Sequence, residues 1–340
     1  MRFVRYAGKR VLFLLPQLLV VSFIVFFLIR LLPGDPAYLL AGQFATAERI
    51  AEVRHDLRLD LPLFEQYGIY LLNILHGDFG NSWRTSQSVM TDVSQRLPAT
   101  LELITLSGLV SVLLGIPIGV WTAVRRKGIV DRVLFGYGML AGSVPDFWLG
   151  LILIFVFFSV LGWVPGPIGQ LDPIVDAPPR VTGMIALDAL LSGQWDTLRS
   201  AVAHLVLPVA TLTIVYMALI IKNVRSTMQE MMRSEFVQHA RALGLSPLMQ
   251  VRYALRNSMT AMVTVIGIMF WFMLGGAVLV ETVFSWDGLG QYAVESVVNS
   301  DYAPLQAFVL IAAVFTMLVY LLVDLAYFAI DPRVSRGANQ

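Results

Sequence analysis

Cysteine is absent from all 340 residues, so no disulfide framework, thiolate nucleophile or cysteine-held metal site is open to the chain. Lysine occurs only as Lys9, Lys127 and Lys222, which permits an exhaustive test for a phosphate-binding P-loop. None passes: Lys9 follows Gly8, but Arg10 stands where Ser or Thr would hold magnesium, and no glycine opens the loop. HExxH and GxSxG do not occur, and His55, His76, His204 and His239 are scattered without ligand spacing, so metal-assisted and serine hydrolysis lack support. Charge is scarce too. Only 14% of residues are charged, the net charge is +1, and no block of like charge speaks for nucleic acid.

Apolar sequence is what the chain has in excess: 57% of its residues are hydrophobic. About 20 helical residues cross a bilayer core about 30 Å thick, and six runs reach that length, near Val11 to Leu32, Leu101 to Val124, Val133 to Leu161, Ala201 to Ile221, Met259 to Val283 and Leu305 to Ile330. The first run is too long for a cleaved signal core and is followed by LLPGDP rather than a small-residue cleavage site. An even number of spans puts both termini on one side. With the N-terminus inside, Arg2, Arg5, Lys9, Arg10, Arg125, Arg126, Lys127, Arg132, Lys222, Arg225, Arg233, Arg241, Arg252, Arg256, Arg333 and Arg336 are all inside, two-thirds of the 24 basic residues. The inner acids are Asp131, Glu230, Glu235 and Asp331. That asymmetry is the positive-inside pattern and predicts cytoplasmic termini.

Between the spans, Thr46 is placed to cap a helix whose Ile50, Val53 and Leu57 share one face. Residues 162–200 open with VPGPIG and DAPPR, which predicts an irregular loop with a short helix after it. In the inner loop, Met232, Phe236, Ala240 and Leu243 recur at helical spacing with Arg233, Gln238 and Arg241 between them, predicting a short amphipathic helix that Gly244 ends. Asp146 lies about 14 residues into the third run, roughly 21 Å along a straight helix, where a lipid-facing carboxylate is expensive. It is expected to line a pathway or to cap a helix restarted after Pro145. Asp324, near the inner end of the last run, is expected to pair with an inner basic residue or a neighbouring helix, and Met269, Phe270, Phe272 and Met273 to pack between helices. Trp286 is suited to interfacial anchoring.

Four segments occur in order along the chain: LLPGDPA with LRLDLPLFEQYGIYLLNILHGDFGNS (Leu31–Ala37, Leu57–Ser82), RLPATLEL with SVPDFWLG (Arg96–Leu103, Ser143–Gly150), EFVQHARALGLSPLMQVRYALRN (Glu235–Asn257), and ETVFSWDGLGQYAVESVVNSDYAP (Glu281–Pro304). Together they resemble the B-type permease subunits of dipeptide/oligopeptide ABC importers. The sequence departs from that family at Arg58, where a glycine is common, and at Asp287, where a proline is common and whose replacement is expected to loosen the turn before Gly288. Gln238 and His239 also differ from the general importer pattern, while Ala240 and Gly244 agree with it.

The resemblance implies an all-α membrane protein with six transmembrane helices in the type I ABC importer permease fold, a cytoplasmic coupling helix and an extracytoplasmic segment after the first helix. The expected divisions are 1–98, first helix plus outer segment; 99–332, permease core with a coupling loop at about 222–258; and 333–340, a cytoplasmic tail. Implied function is peptide import across the bacterial inner membrane by alternating access. This chain would be non-enzymatic and hold no cofactor or metal, with ATP and Mg bound by two cytoplasmic ATPase domains. A C-type permease subunit would complete a heterodimer, an extracytoplasmic binding protein would deliver substrate, and lipid would surround the spans.

Glu235, Phe236, Gln238, His239, Ala240, Arg241, Ala242, Leu243 and Gly244 are the ATPase-coupling candidates. Among them Glu235 and Arg241 suit partner contacts or a salt bridge within the loop. Pro145, Asp146 and Trp148 are candidates for the translocation path, and Glu281, Phe284, Trp286 and Gly288 for the outer gate or receptor docking. Same-family importers of nickel complexes, opines, glutathione or oligosaccharides are alternatives. An ion-gradient-driven secondary transporter is another, although only Asp146 and Asp324 supply intramembrane charge and no half-chain repeat is visible. Nothing positive favours a non-transporting receptor.

Overall fold

The computed structural model describes residues 2–31, 36–42, 44–125 and 128–330. Most of LLPGDPA, Arg126, Lys127, Asp331 and the tail at 333–340 with Arg333 and Arg336 lie outside the described residues. Within them the chain is helical, with one antiparallel bridge between Asn81 and Ser88. The helices are α1 (Arg2–Arg30), α2 (Pro36–Ala41), α3 (Ala47–Asp56), α4 (Leu63–Leu75), α5 (Val89–Val124), α6 (Ile129–Ser143) and α7 (Asp146–Leu153), which runs on as a π-helical stretch, Ile154–Val160. After a long loop come α8 (Ile185–Ser192), α9 (Trp195–Met231), α10 (Glu235–Ala242), α11 (Pro247–Phe284), α12 (Leu289–Val298) and α13 (Tyr302–Ile330).

Among the described residues five helices are long and apolar enough to cross a membrane, in α1, α5, α9, α11 and α13, and the bent pair α6–α7 passes the same test when its two halves are taken together, which brings the number to six if the pair is one span. The third run is therefore not one straight helix. Pro145 lacks an N–H and pushes the residue before it out of the helical region. Val144 accordingly takes φ −98° and ψ 125°, and the two helices meet at 109°. The 37 residues of α9 and 38 of α11 make rods of about 55 Å at 1.5 Å per residue, longer than the apolar runs within them. Their extra turns carry Lys222, Arg225, Arg252 and Arg256.

The chain divides into two compact units. The first holds the described residues of 1–11, 97–291 and 315–340. Its core is built on α9 and α11, with Leu103, Leu212, Ile220, Met228, Met269 and Met273 each less than 2% exposed. Met269 and Met273 thus pack as expected, whereas Phe272 is 51% exposed. On α5, Gly115 and Gly119 face α9 so closely that an added Cβ would lie 2.8 Å from Ile220 Cγ2 or Val224 Cβ, the close approach that small residues four apart allow. Arg10 Nε lies 3.1 Å from Asp324 Oδ2, which supplies the expected inner basic partner.

The irregular loop and its short helix, α8, are held by two carboxylates. Asp188 accepts from the Thr182 hydroxyl at 2.7 Å and from the N–H groups of Thr182, Gly183 and Val181 at 2.8, 2.9 and 3.1 Å. Burial alone would raise this carboxyl, but those four donors outweigh it and hold the group below its ordinary range. Glu102 of α5 accepts from Ala186 N at 2.9 Å, placing a carboxyl acceptor at the N-terminus of α8, where the first N–H groups lack partners in the helix.

The second unit holds the described residues of 12–96 and 292–314. Thr46 caps α3 by accepting from Arg49 N, and Val53 is the buried member of the predicted face. The helix ends in a Schellman motif, with Arg58 N bonded to His55 O at 2.9 Å and Leu59 N to Arg54 O at 2.9 Å. Arg58 takes φ +52° there, so the position where the family often has glycine is a left-handed one. Phe26 packs between Tyr67 and Tyr70, at centroid distances of 5.5 and 5.2 Å. Asp301 accepts from Ser82 Oγ at 2.7 Å and Trp83 N at 2.9 Å, and Tyr292 donates to Asp92 at 2.7 Å.

Candidate functional site

Three constellations contain the predicted site residues. The first is the loop between α9 and α11. Glu235 opens α10 while Arg241 falls in its last turn beside His239, and the Glu235 and Arg241 charges are of the sign that each end of the helix dipole favours. Gly244 at φ +77° closes it through Gly244 N to Arg241 O at 3.0 Å and Leu245 N to Ala240 O at 3.1 Å. Ser246 then caps α11 and Pro247 starts it. Arg241 donates from Nε to Gln250 Oε1 at 3.3 Å, so its bond within the loop is to an amide rather than to Glu235. Gln238 donates to Arg233 O at 2.8 Å.

The predicted apolar stripe does not act as one face. Val237 and Ala240 are buried and anchor α10, whereas Phe236 is 42% and Leu243 68% exposed. Two apolar rows fit on an eight-residue helix, and only one can face its own chain. His239 and Ala242 are also exposed. Beside α10 a cavity of about 550 Å³ is lined by Arg233, Gln238 and Arg241 together with Ala123 and Val124 of α5.

The second constellation centres on Asp146. The bend puts it in the first turn of α7, with Pro145 at the N-cap position and no side-chain cap bond there. The helix thus restarts after Pro145 as expected, while the straight-helix depth is corrected. Asp146 Oδ2 accepts from Tyr216 Oη of α9 at 2.8 Å, and the same hydroxyl lies 3.0 Å from Phe272 O of α11. A hydroxyl has one proton, so it serves one of these acceptors at a time. Gly276 of α11 closes the space, since a Cβ built on it would overlap Asp146 Oδ2 and Tyr216 Oη. Trp148 is 50% exposed and Pro145 is exposed as well.

The third is the corner after α11. Glu281 is fully buried and accepts from Thr100 Oγ1 at 2.6 Å and Gln291 N at 3.0 Å. Thr100 Oγ1 in turn accepts from Leu289 N at 2.8 Å, and Trp286 donates from Nε1 to Ala99 O at 3.2 Å. At Gly288 a Cβ would sit 2.5 Å from Glu281 Cδ. With Phe284 4% and Trp286 1% exposed, these side chains pack inside their own chain, and interfacial anchoring by Trp286 is corrected. The turn is not loosened either. Asp287 at φ +54° donates its N–H to Gln291 Oε1 at 2.8 Å, a conformation and a donor that proline does not have.

RLPATLEL and ETVFSWDGLGQ, distant in sequence, are thus hydrogen-bonded to each other. A model of binding-protein-dependent transport system inner membrane components matches residues 115–336, and the model of the N-terminal part of such components matches residues 3–104. The chain belongs to this family. It is therefore the membrane-spanning permease component of such a transport system. Similar proteins include the probable D,D-dipeptide transport system permease protein DdpB of Escherichia coli, 39% identical over 94% of each chain. The di/tripeptide transport system permease protein DppB of Pseudomonas aeruginosa is 37% identical over 97% of this chain and 98% of its own. A solved structure of the MetNI methionine ABC transporter, in inward-facing conformations, matches with a TM-score of 0.51 at 18% identity over 68% of this permease and 93% of that chain, a likeness of fold.

Sequence reading missed Thr100, Tyr216 and Gly276. The Gly275–Gly276 pair inside an apolar span and the lone tyrosine midway along α9 were the available signals. Gly115-x-x-x-Gly119 is a third, pointing to the α5–α9 approach.

Proposed function

We propose that this permease is the B-type half of an ATP-driven importer for dipeptides or closely related solutes in the bacterial inner membrane, with both termini cytoplasmic. A C-type permease completes the pathway, a soluble binding protein delivers substrate, and two ATPase domains bind and hydrolyse ATP with Mg. Full-length similarity to dipeptide permeases supports the substrate class.

The observation that carries the coupling mechanism is the exposed row of α10. Val237 and Ala240 tie the helix to its own chain, which leaves Phe236 and Leu243 as apolar knobs for a groove in the ATPase, with Glu235, Gln238, His239, Arg241 and Ala242 around them. Gly244 sets where the helix ends. ATP-driven closure of the ATPases would move α10, and α9 and α11 would carry that motion to the Asp146–Tyr216 contact. Pro145, Asp146 and Trp148 are then the path-side group, and the Glu281 corner the rigid end against which an outer gate works.

The test is uptake of radiolabelled dipeptide by proteoliposomes containing this chain with its C-type partner, ATPases and binding protein. ATP-dependent uptake that Phe236→Ala or Gly244→Val abolishes, while the variants still insert and hydrolysis continues, supports the reading. Uptake by this chain alone without ATP overturns it, and so does loss of insertion in both variants.

A further inference from the structure

The three helices that meet at Asp146 bring it no cation. None of residues 142–150, 212–220 and 268–280, which extend a turn or more to either side of Asp146, Tyr216 and Gly276, is basic. Among the described residues no ion pair reaches Asp146. Tyr216 engages one carboxylate oxygen at 2.8 Å, and a carboxylate has about four acceptor sites, so a further donor can be seated. Asp146 is only half-buried, and Gly275, next to the glycine whose added Cβ would overlap its Oδ2, is exposed with nothing within 4 Å of an added Cβ of its own. Exposed aromatic side chains stand within about a turn on both helices, Phe147 and Trp148 on α7 and Trp271 and Phe272 on α11. An accessible carboxylate inside a membrane span is not left facing lipid.

A carboxylate with spare acceptor sites, aromatic residues nearby and no cation from its own chain is complementary to an ammonium group, which donates charge-assisted hydrogen bonds and is favoured near aromatic rings. A dipeptide carries such a group at its N-terminus. We propose that Asp146 is a specificity-determining residue of the translocation path, whose carboxylate receives the α-ammonium group of the passing peptide. Tyr216 is the positioning residue, since its hydroxyl fixes Oδ2 between α9 and α11. The inference rests on the reading of Asp146 as path-side and adds the chemistry that it selects: peptides with a free amino terminus pass in preference to N-blocked ones of similar size.

The chain has no cysteine, so Gly275→Cys gives it a single thiol. That thiol sits one residue, about 3.8 Å in Cα spacing, from Gly276, and so within about a Debye length of the carboxylate. The assembled importer in nanodiscs is treated with a cationic or an anionic methanethiosulfonate, each rate is divided by that with a free thiol in solution, and modification of this chain is read by mass spectrometry. The cationic reagent is expected to react about ten-fold faster, and Asp146→Asn should abolish the preference. Millimolar alanylalanine should slow the cationic reagent while N-acetylalanylalanine does not, a readout that needs no change at Asp146. Reaction without charge preference, the result if a cation of another chain already neutralises Asp146, overturns the ammonium assignment alone. So does a preference that survives Asp146→Asn, or equal protection by the two peptides. Reaction with neither reagent means that lipid or protein covers this face, and the path-side reading falls with the inference.

Discussion

Replacing Gly276 by alanine adds one methyl group to α11, and the structure fixes what that group meets. Its Cβ would overlap Asp146 Oδ2 and Tyr216 Oη, whereas at the neighbouring Gly275 nothing lies within 4 Å of an added Cβ. Both substitutions gain the same helix propensity, about 0.5–1 kcal/mol, so that contribution cancels between them. The difference is an overpacking cost of about 1–3 kcal/mol plus the loss of the 2.8 Å Tyr216–Asp146 bond, worth about 1–2 kcal/mol. Gly276→Ala should therefore be less stable than Gly275→Ala by about 2–5 kcal/mol, at least roughly thirty-fold in the unfolding equilibrium. Denaturation of the purified variants in one detergent, scored by a folded-state ligand or by compaction, measures the gap. In an Asp146→Ala, Tyr216→Phe background the obstructing polar atoms are gone, and the gap should shrink below about 1 kcal/mol. Equal stability of Gly275→Ala and Gly276→Ala, or a gap that persists in the double-substituted background, would refute the packing argument.

At the corner after α11, Thr100→Val keeps the shape but leaves Glu281 Oε1 and Leu289 N without the hydroxyl, so it should cost about 2–5 kcal/mol. Thr100→Ser should cost under about 1 kcal/mol because the hydroxyl remains; matching thermal unfolding of the two variants would rule the network out. Because the Asp188 carboxyl is held below its ordinary value, its contribution is present above pH about 4 and is lost as pH falls through its lower folded-state value. Hydrogen exchange at Val181, Thr182 and Gly183, corrected for intrinsic rates, should show constant protection from pH 7 to about 5 and a fall below about 4, with Asp188→Asn weakly protected throughout; a fall already between pH 7 and 5 contradicts this. At Arg58, whose φ is +52°, glycine should relieve about 0.5–1 kcal/mol of left-handed strain and valine add at least as much. Protection of the α3 C-terminus should rank Gly over Arg over Val, and the reverse order would sink the strain account.

Where the relevant interactions lie within a few residues, the sequence alone determined the outcome. The number of spans follows from apolar run length against bilayer thickness. The Thr46 cap, α8 after the proline-rich loop, α10 and its end at Gly244 follow from hydrogen bonds between residues three to five apart. Asp324 announced its need for a cation because a carboxylate in an apolar span has few other options. Even so, the sequence did not say that Arg10, 314 positions away, would be the partner.

Tertiary structure decided what periodicity has no means to express. A proline marks the break before Asp146, yet only the packing of α7 against α9 and α11 turns it through 109° and brings Asp146, Tyr216 and Gly276 together. Which row of α10 is exposed depends on the surface that receives Val237 and Ala240, so the row with Phe236 and Leu243 looked equally fit for burial. Thr100 and Glu281 are 181 residues apart, and each alone reads as an ordinary polar residue at a helix end. A buried carboxylate must find its donors wherever the fold brings them, and that choice is made by helix packing rather than by local sequence.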